Sequence, residues 1–245
     1  MKLLPRSRNF TKGRILIVLL IVSATVTARD VIENTLKTGE NLFTAVPASI
    51  LTAGAAGSFF AYKTEGQTGY EGLLPEQPFS TFDRVDDFLI GKALPISSAG
   101  FWIAGKLTDN QDMECTGEEL CRGLLYSYGI VQTLKFATGR TRPDGSDNRS
   151  FPSGHAAGAS CTATVLWSRY GPEAGIPLSL IALYTCLSRV NLGKHFPSDV
   201  VLGAAVGTAC GIASTMLEND TGTGEKGFSI SLSVDTEGRI TPALW

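Results

Sequence analysis

Histidine is the scarcest chemistry-bearing residue in this chain: 245 residues hold only His155 and His195. The five cysteines include no Cys-x-x-Cys pair, so nothing points to a zinc site. Positive charge is short as well. Of 21 Lys and Arg residues, five lie within residues 1–28, which contain no acid; the remainder carries 16 bases against 23 acids, a balance of −7. That deficit excludes a general nucleic-acid binder. A long apolar run is missing from the N-terminus, where "ILIVLLIV" is too short to span a bilayer. Strand-like alternation is missing until Phe228.

What is present divides the chain into three parts. Lys2, Arg6, Arg8, Lys12 and Arg14 precede the short apolar run, and "SATVTA" then supplies small residues ending at Ala28, the layout of a secretory signal peptide over residues 1–28, with an uncleaved anchor as the alternative. Residues 29–218 form one main domain, in which apolar, alanine- and leucine-rich segments predict helices over 42–62, 87–107, 118–138, 154–170, 174–189 and 198–217. Residues 219–245 are a linker followed by Phe228, Ile230, Leu232 and Val234 at period two, a short β-hairpin turning through "DTEG". The expected fold is therefore all-α, with about six helices and a C-terminal hairpin.

Residues 42–62 and "VVLGAAVGTACGIASTML" are uncharged and long enough to cross a membrane. They are built from Ala, Gly, Ser and Thr rather than from Leu, Ile and Phe, and the mean hydropathy of the chain is only +0.11. This favours a helical globular domain facing the periplasm, with membrane-surface contact. Cys115 and Cys121 flank "TGEEL" at a spacing that suggests a local disulfide, whereas Cys161, Cys186 and Cys210 lie in apolar segments as small buried hydrophobes. The polar segments 63–86 and 108–117 are candidate lid or specificity loops.

Three polar clusters carry the chemistry. Lys135 precedes Arg142-Pro143; Pro152-Ser153-Gly154-His155 follows; Ser188-Arg189 then leads to His195 and Asp199. Each has an ordinary explanation alone, as a helix end, a loop charge or a helix N-terminal acid. Together they supply three permanent cations, a hydroxyl, a glycine at a helix start and two imidazoles, which is the composition of a phosphate site. Pro152 in the first helical turn leaves the N–H groups of Ser153, Gly154 and His155 directed outward. In a phosphoryl displacement one imidazole attacks and the other protonates the leaving group. Asp199 favours His195 as the nucleophile, since a carboxylate on one ring nitrogen fixes the tautomer and supports the developing charge; His155 is left as the acid.

"KFATGRTRP", "PSGH" and "SRVNLGKHFPSD" resemble the three-part signature of the type 2 phosphatidic acid phosphatase and vanadium haloperoxidase superfamily, over residues 135–199. The resemblance implies an all-helical core, a phosphohistidine on His195 oriented by Asp199, and protonation of the leaving group by His155. It makes Lys135, Arg142, Ser153, Gly154 and Arg189 phosphate ligands. It also implies no metal or other cofactor, and inhibition by vanadate. Two substrate classes stay open: lipid phosphates such as phosphatidic acid, phosphatidylglycerol phosphate, isoprenyl pyrophosphate or lipid A, and small soluble esters as used by secreted acid phosphatases. A vanadate-dependent haloperoxidase is the remote alternative.

Overall fold

The computed structural model describes residues 28–65, 85, 88, 90 and 93–217, and the backbone of 230–234 and 240–244. The expected signal peptide, apart from Ala28, and most of the expected loop 63–86 lie outside the described residues. The chain divides into two compact units, Met1–Lys37 and Thr38–Trp245. In the first, residues 28–37 are helical, and Lys37 pairs with Glu33 one turn away at 3.1 Å.

Six helices are found among the described residues: α1 (28–41), α2 (Ala45–Thr64), α3 (Leu94–Thr108), α4 (Gln111–Thr138), α5 (Gly154–Asn191) and α6 (Pro197–Thr215). The all-α core is as expected. In the second unit α6 is central, packing on α5, α2 and α4, while α3 lies against α4. Val131, Ala157, Val206, Ala209, Cys210 and Ala213 form the buried centre. The strands β1 (Ile230–Val234) and β2 (Ile240–Leu244) pair antiparallel with Leu232 opposite Pro242; the "DTEG" turn lies outside the described residues.

Small residues on α6 set the key contact. Gly203 and Gly207, one turn apart, face the start of α5, where an added Cβ would lie 2.4 Å from the carbonyl oxygen of Ser153 and 2.0 Å from that of Ala157. Only glycine permits backbones to approach this closely. The approach brings the N–H of Ser153 to the carbonyl oxygen of Asp199 at 2.9 Å, joining two of the sequence clusters.

Several expectations need correction. Segment 108–117 is mostly helix: the Asn110 side chain accepts the Met113 N–H at 3.0 Å and starts α4 immediately. Cys115 and Cys121 then share one helix and are not joined by a disulfide. Six residues of helix separate their Cα atoms by about 9 Å along the axis, beyond the ~7 Å reach of a disulfide. The two helices expected at 154–170 and 174–189, by contrast, are present as the two segments of α5 on either side of Gly171, whose φ of 68° and ψ of −162° leave the helical region just before Pro172. Pro152 is outside the first turn of α5, because Ser153 is the N-cap and its side chain accepts the Ala156 N–H.

Apolar side chains on the outside are numerous. Phe59, Phe60 and Tyr62 on α2, Ile96 and Leu107 on α3, Leu125 and Phe136 on α4, and Leu180 and Leu183 on α5 are all more than half exposed. Two helices are long and apolar enough to cross a membrane, Ala45–Thr64 and Pro197–Thr215. Of these, α2 has little of its surface buried, whereas α6 is mostly enclosed by its neighbours.

Candidate active site

The site is assembled from four helix ends and the turns between them. Gly139, at φ 53°, terminates α4 and its N–H closes on the Lys135 carbonyl, so the chain turns directly after the Lys135 side chain. The loop that follows is held by its own backbone: the N–H of Arg142 meets the Asp147 carbonyl at 3.0 Å and the N–H of Ser150 meets the Arg140 carbonyl at 2.9 Å. At the far end of α5, the Arg189 carbonyl accepts both the Lys194 and His195 N–H groups at 3.0 and 3.1 Å, with Gly193 at φ 63° completing the turn. His195 is thereby folded back against the helix that carries Arg189.

Asp199 stands at the third position of α6, where the helix N-terminus favours a negative charge. It is fully buried and densely bonded. Oδ2 accepts the Phe196 N–H at 2.9 Å and the Ser150 hydroxyl, and His195 Nδ1 stands 3.5 Å away; Oδ1 accepts Arg140 Nη1 at 2.8 Å. The His195 contact is long for a hydrogen bond, as catalytic contacts without substrate often are. Its geometry presents Nδ1 to the carboxylate and leaves Nε2 on the other side of the ring.

Two cations act on this pair, and a third is buried on the helix end that holds the His195 backbone. Lys135 is 7% exposed, and its ammonium donates to the Arg149 carbonyl. Arg142, half-buried, donates from Nε to Asp147 Oδ1 at 2.7 Å and from Nη1 to the Lys194 carbonyl at 3.3 Å. Arg189 is 2% exposed. Buried cations are costly unless anions compensate them, and Asp199 and Asp147 stand near Lys135 and Arg142. Burial lowers the His195 pKa from 6.5; the Asp199 bond opposes this, while Lys135 and Arg142 reinforce it. The imidazole therefore stays neutral to lower pH than that of a free histidine. At the rim, desolvation pushes the Asp144 carboxyl up, but hydrogen bonds from Ser146 and Lys194 outweigh it and bring the pKa to about 2.

Gly154 and His155 occupy the first turn of α5, whose N–H groups have no partner within the helix. Ser153 is placed differently from the expectation, because its N–H is committed to Asp199 and its Oγ to the helix cap. Only its hydroxyl proton is left for a ligand.

Sequence reasoning missed Arg140, Ser150, Ser198 and Glu65. Arg140 Nη2 meets Glu65 Oε2 at 2.5 Å and its Nη1 meets Ser198 Oγ at 2.7 Å, while Glu65 Oε1 accepts the Ser198 N–H at 2.7 Å. The guanidinium carbon lies 4.0 Å from the Phe196 ring centroid and 5.3 Å from that of Tyr62. Arg140 was visible in "GRTRP", two residues before the arginine that was chosen. Glu65 carried no signal in the sequence.

Comparison with known proteins gives a consistent set of likenesses. The family model of the PAP2 superfamily matches residues 119–222. The chain is 33% identical over 121 residues to the lipid A 1-phosphatase of Porphyromonas gingivalis, covering 48% of this chain and 27% of that protein. It is 32% identical over 99 residues to the lipid A 4'-phosphatase of Helicobacter pylori, covering 36% of this chain and 50% of that protein. The chain thus spans half or less of the length of these two curated relatives. The crystal structure of the first transmembrane PAP2 type phosphatidylglycerolphosphate phosphatase from Bacillus subtilis is similar at 22% identity and a TM-score of 0.49, covering 79% of this chain and 96% of that one.

Proposed function

The chain belongs to the PAP2 superfamily, and from that premise we propose that it is a phosphatase that hydrolyses phosphomonoesters of lipids at a membrane surface. The observation that carries the reading is the convergence of Lys135 and Arg142 on the buried His195–Asp199 pair, with the buried Arg189 on the helix end that holds the His195 backbone. Cations beside an imidazole backed by a carboxylate suit a phosphoryl group under nucleophilic attack.

In the proposed reaction His195 Nε2 attacks phosphorus, the bond to the leaving oxygen breaks, and His155 gives that oxygen its proton. Water then attacks the phosphohistidine, His155 takes the water's proton, and the phosphorus–nitrogen bond breaks to release phosphate and His195. Asp199 stabilises the imidazolium character that His195 gains in the first step. Lys135, Arg142 and Arg189, with the N–H groups of Gly154 and His155, hold the equatorial oxygens, and the Ser153 hydroxyl donates a further bond. This scheme requires no metal, and vanadate is expected to inhibit by occupying the phosphate position.

The lipid class is supported by two features. The curated relatives named above act on lipid A, and exposed aromatic residues flank the site: Phe136 follows Lys135 directly at 93% exposure, and Phe59, Phe60 and Tyr62 precede Glu65. Exposed apolar side chains at this density suit a bilayer rather than water. We place α2 across the membrane, with the site and its polar loops at the periplasmic face. Export through residues 1–28 fits that orientation.

The test is phosphate release by the full chain in EDTA, comparing a dispersed lipid phosphate with a soluble monoester. A lipid preference of at least about tenfold in kcat/KM supports the reading, since remote apolar contacts contribute binding energy to turnover. Equal or better turnover of the soluble ester would assign the site to small phosphate esters instead. Loss of all activity in EDTA, restored by a divalent ion, would overturn the metal-free scheme.

A further inference from the structure

The Glu65–Arg140 pair is unexplained by the reaction as proposed, because neither residue belongs to the cluster of cations around phosphate. Both sit behind Asp199. Arg140 forks between two carboxylates, with Nη1 on Asp199 Oδ1 at 2.8 Å and Nη2 on Glu65 Oε2 at 2.5 Å. The Glu65 side chain is 6% exposed although it follows the last residue of α2. Its other oxygen accepts the Ser198 N–H at 2.7 Å, in the first turn of the helix that carries Asp199. Three elements thus meet at one guanidinium: the end of α2, the loop after α4 and the start of α6.

We propose that Glu65 and Arg140 are positioning residues that fix Asp199 and set the charge it presents to His195. This rests on the phosphohistidine reading given above. Arg140 alone, bonded to Oδ1, would draw negative charge away from the Oδ2 that faces Nδ1. Glu65 compensates that cation, so Asp199 keeps both a fixed orientation and the basicity needed to support an imidazolium. The charged groups acting on His195 are Asp199 from α6, Lys135 from α4 and Arg142 from the following loop, while its backbone N–H is held by the carbonyl of Arg189 in the last turn of α5. Arg140 and Glu65 act on it through Asp199. An ordinary structural ion pair would tie the helix ends together without altering His195.

The account gives opposite signs for two substitutions. Glu65→Gln keeps an oxygen for the Ser198 N–H but leaves Arg140 uncompensated, so His195 titrates lower. Arg140→Gln removes the cation from Asp199 and leaves Glu65 negative, so His195 titrates higher. The double variant, with both charges gone, returns towards the unaltered protein.

Because the chain holds two histidines, labelled histidine in full-length His155→Gln protein reports on His195 alone, by NMR in lipid nanodiscs. We expect shifts of about half a pH unit, down for Glu65→Gln and up for Arg140→Gln. On the His155-containing protein, kcat should fall roughly tenfold in Glu65→Gln while KM stays within about twofold, with the acid limb of the rate profile shifted the same way as the titration. Superimposable His195 titrations, whatever happens to melting temperature, would overturn the proposal. If one single variant does not fold, the sign of the other still decides. Failure of the unaltered protein to release phosphate would instead refute the proposed function, and the NMR titration would still report on the network.

Discussion

The two ends of α4 carry buried charges of opposite design. Near its start, Arg169 forks onto Glu119 with bonds of 2.7 and 2.6 Å, and Arg122 pairs with Glu118 and reaches the Ser214 carbonyl at 3.2 Å. Among the described residues, two arginines meet two glutamates there. At the other end, about 24 Å along the helix from Glu119, Arg140 and Arg142 bond Glu65, Asp199 and Asp147, and Lys135 and His195 are buried beside them. On the proposed reading, this cluster of cations beside an imidazole and a helix N-terminus takes an anion from outside, whereas the first cluster does not.

The comparison is sharpest at Arg189. Replacing it by Met removes the buried cation on the helix end that holds the His195 backbone, and turnover should fall by roughly 10²–10³, as for loss of a single transition-state donor. Steady-state kinetics beside a melting curve would check this. Unchanged turnover would mean that Arg189 is structural, like Arg169.

At the balanced end the expectation reverses. Glu119→Leu strands Arg169 without its buried partner and should cost about 3–5 kcal/mol of stability, while adding Arg169→Met should recover most of it. Activity per folded molecule should stay near that of the unaltered protein in both. Thermal or denaturant unfolding with kinetics on the surviving fraction would decide; loss of turnover in the stabilised double variant would break the distinction between the ends.

Part of the end around His195 was legible because its charged and titratable residues fall in three short polar clusters: Lys135, Arg142, His155, Arg189, His195 and Asp199 were expected together from sequence, and the fold brings Lys135, Arg142 and Asp199 beside His195. Glu65 was not legible, since its contact with Arg140 spans 75 residues and is made by a helix end that shows no pattern of its own. The balanced end misled the reading. Residues 108–117 are polar enough to look like a loop, yet Asn110 caps a helix there, Glu114 pairs with Lys106, and just beyond it Glu118 and Glu119 pair with Arg122 and Arg169. Pro152 misled for a local reason: proline beside serine suggests a first helical turn, but Ser153 is the cap and the helix begins one residue later. The small residues of α6 argued for close packing, which Gly203 and Gly207 provide, but gave no hint of the exposed aromatic residues elsewhere.

The most direct test of the central claim is rapid acid-free quenching of the full-length protein during turnover of a phosphate-labelled substrate, followed by mapping of the label. The account predicts an acid-labile, base-stable phosphoryl adduct on His195, present in the unaltered protein and absent from His195→Ala. Label on His155, or turnover retained by folded His195→Ala, would contradict it.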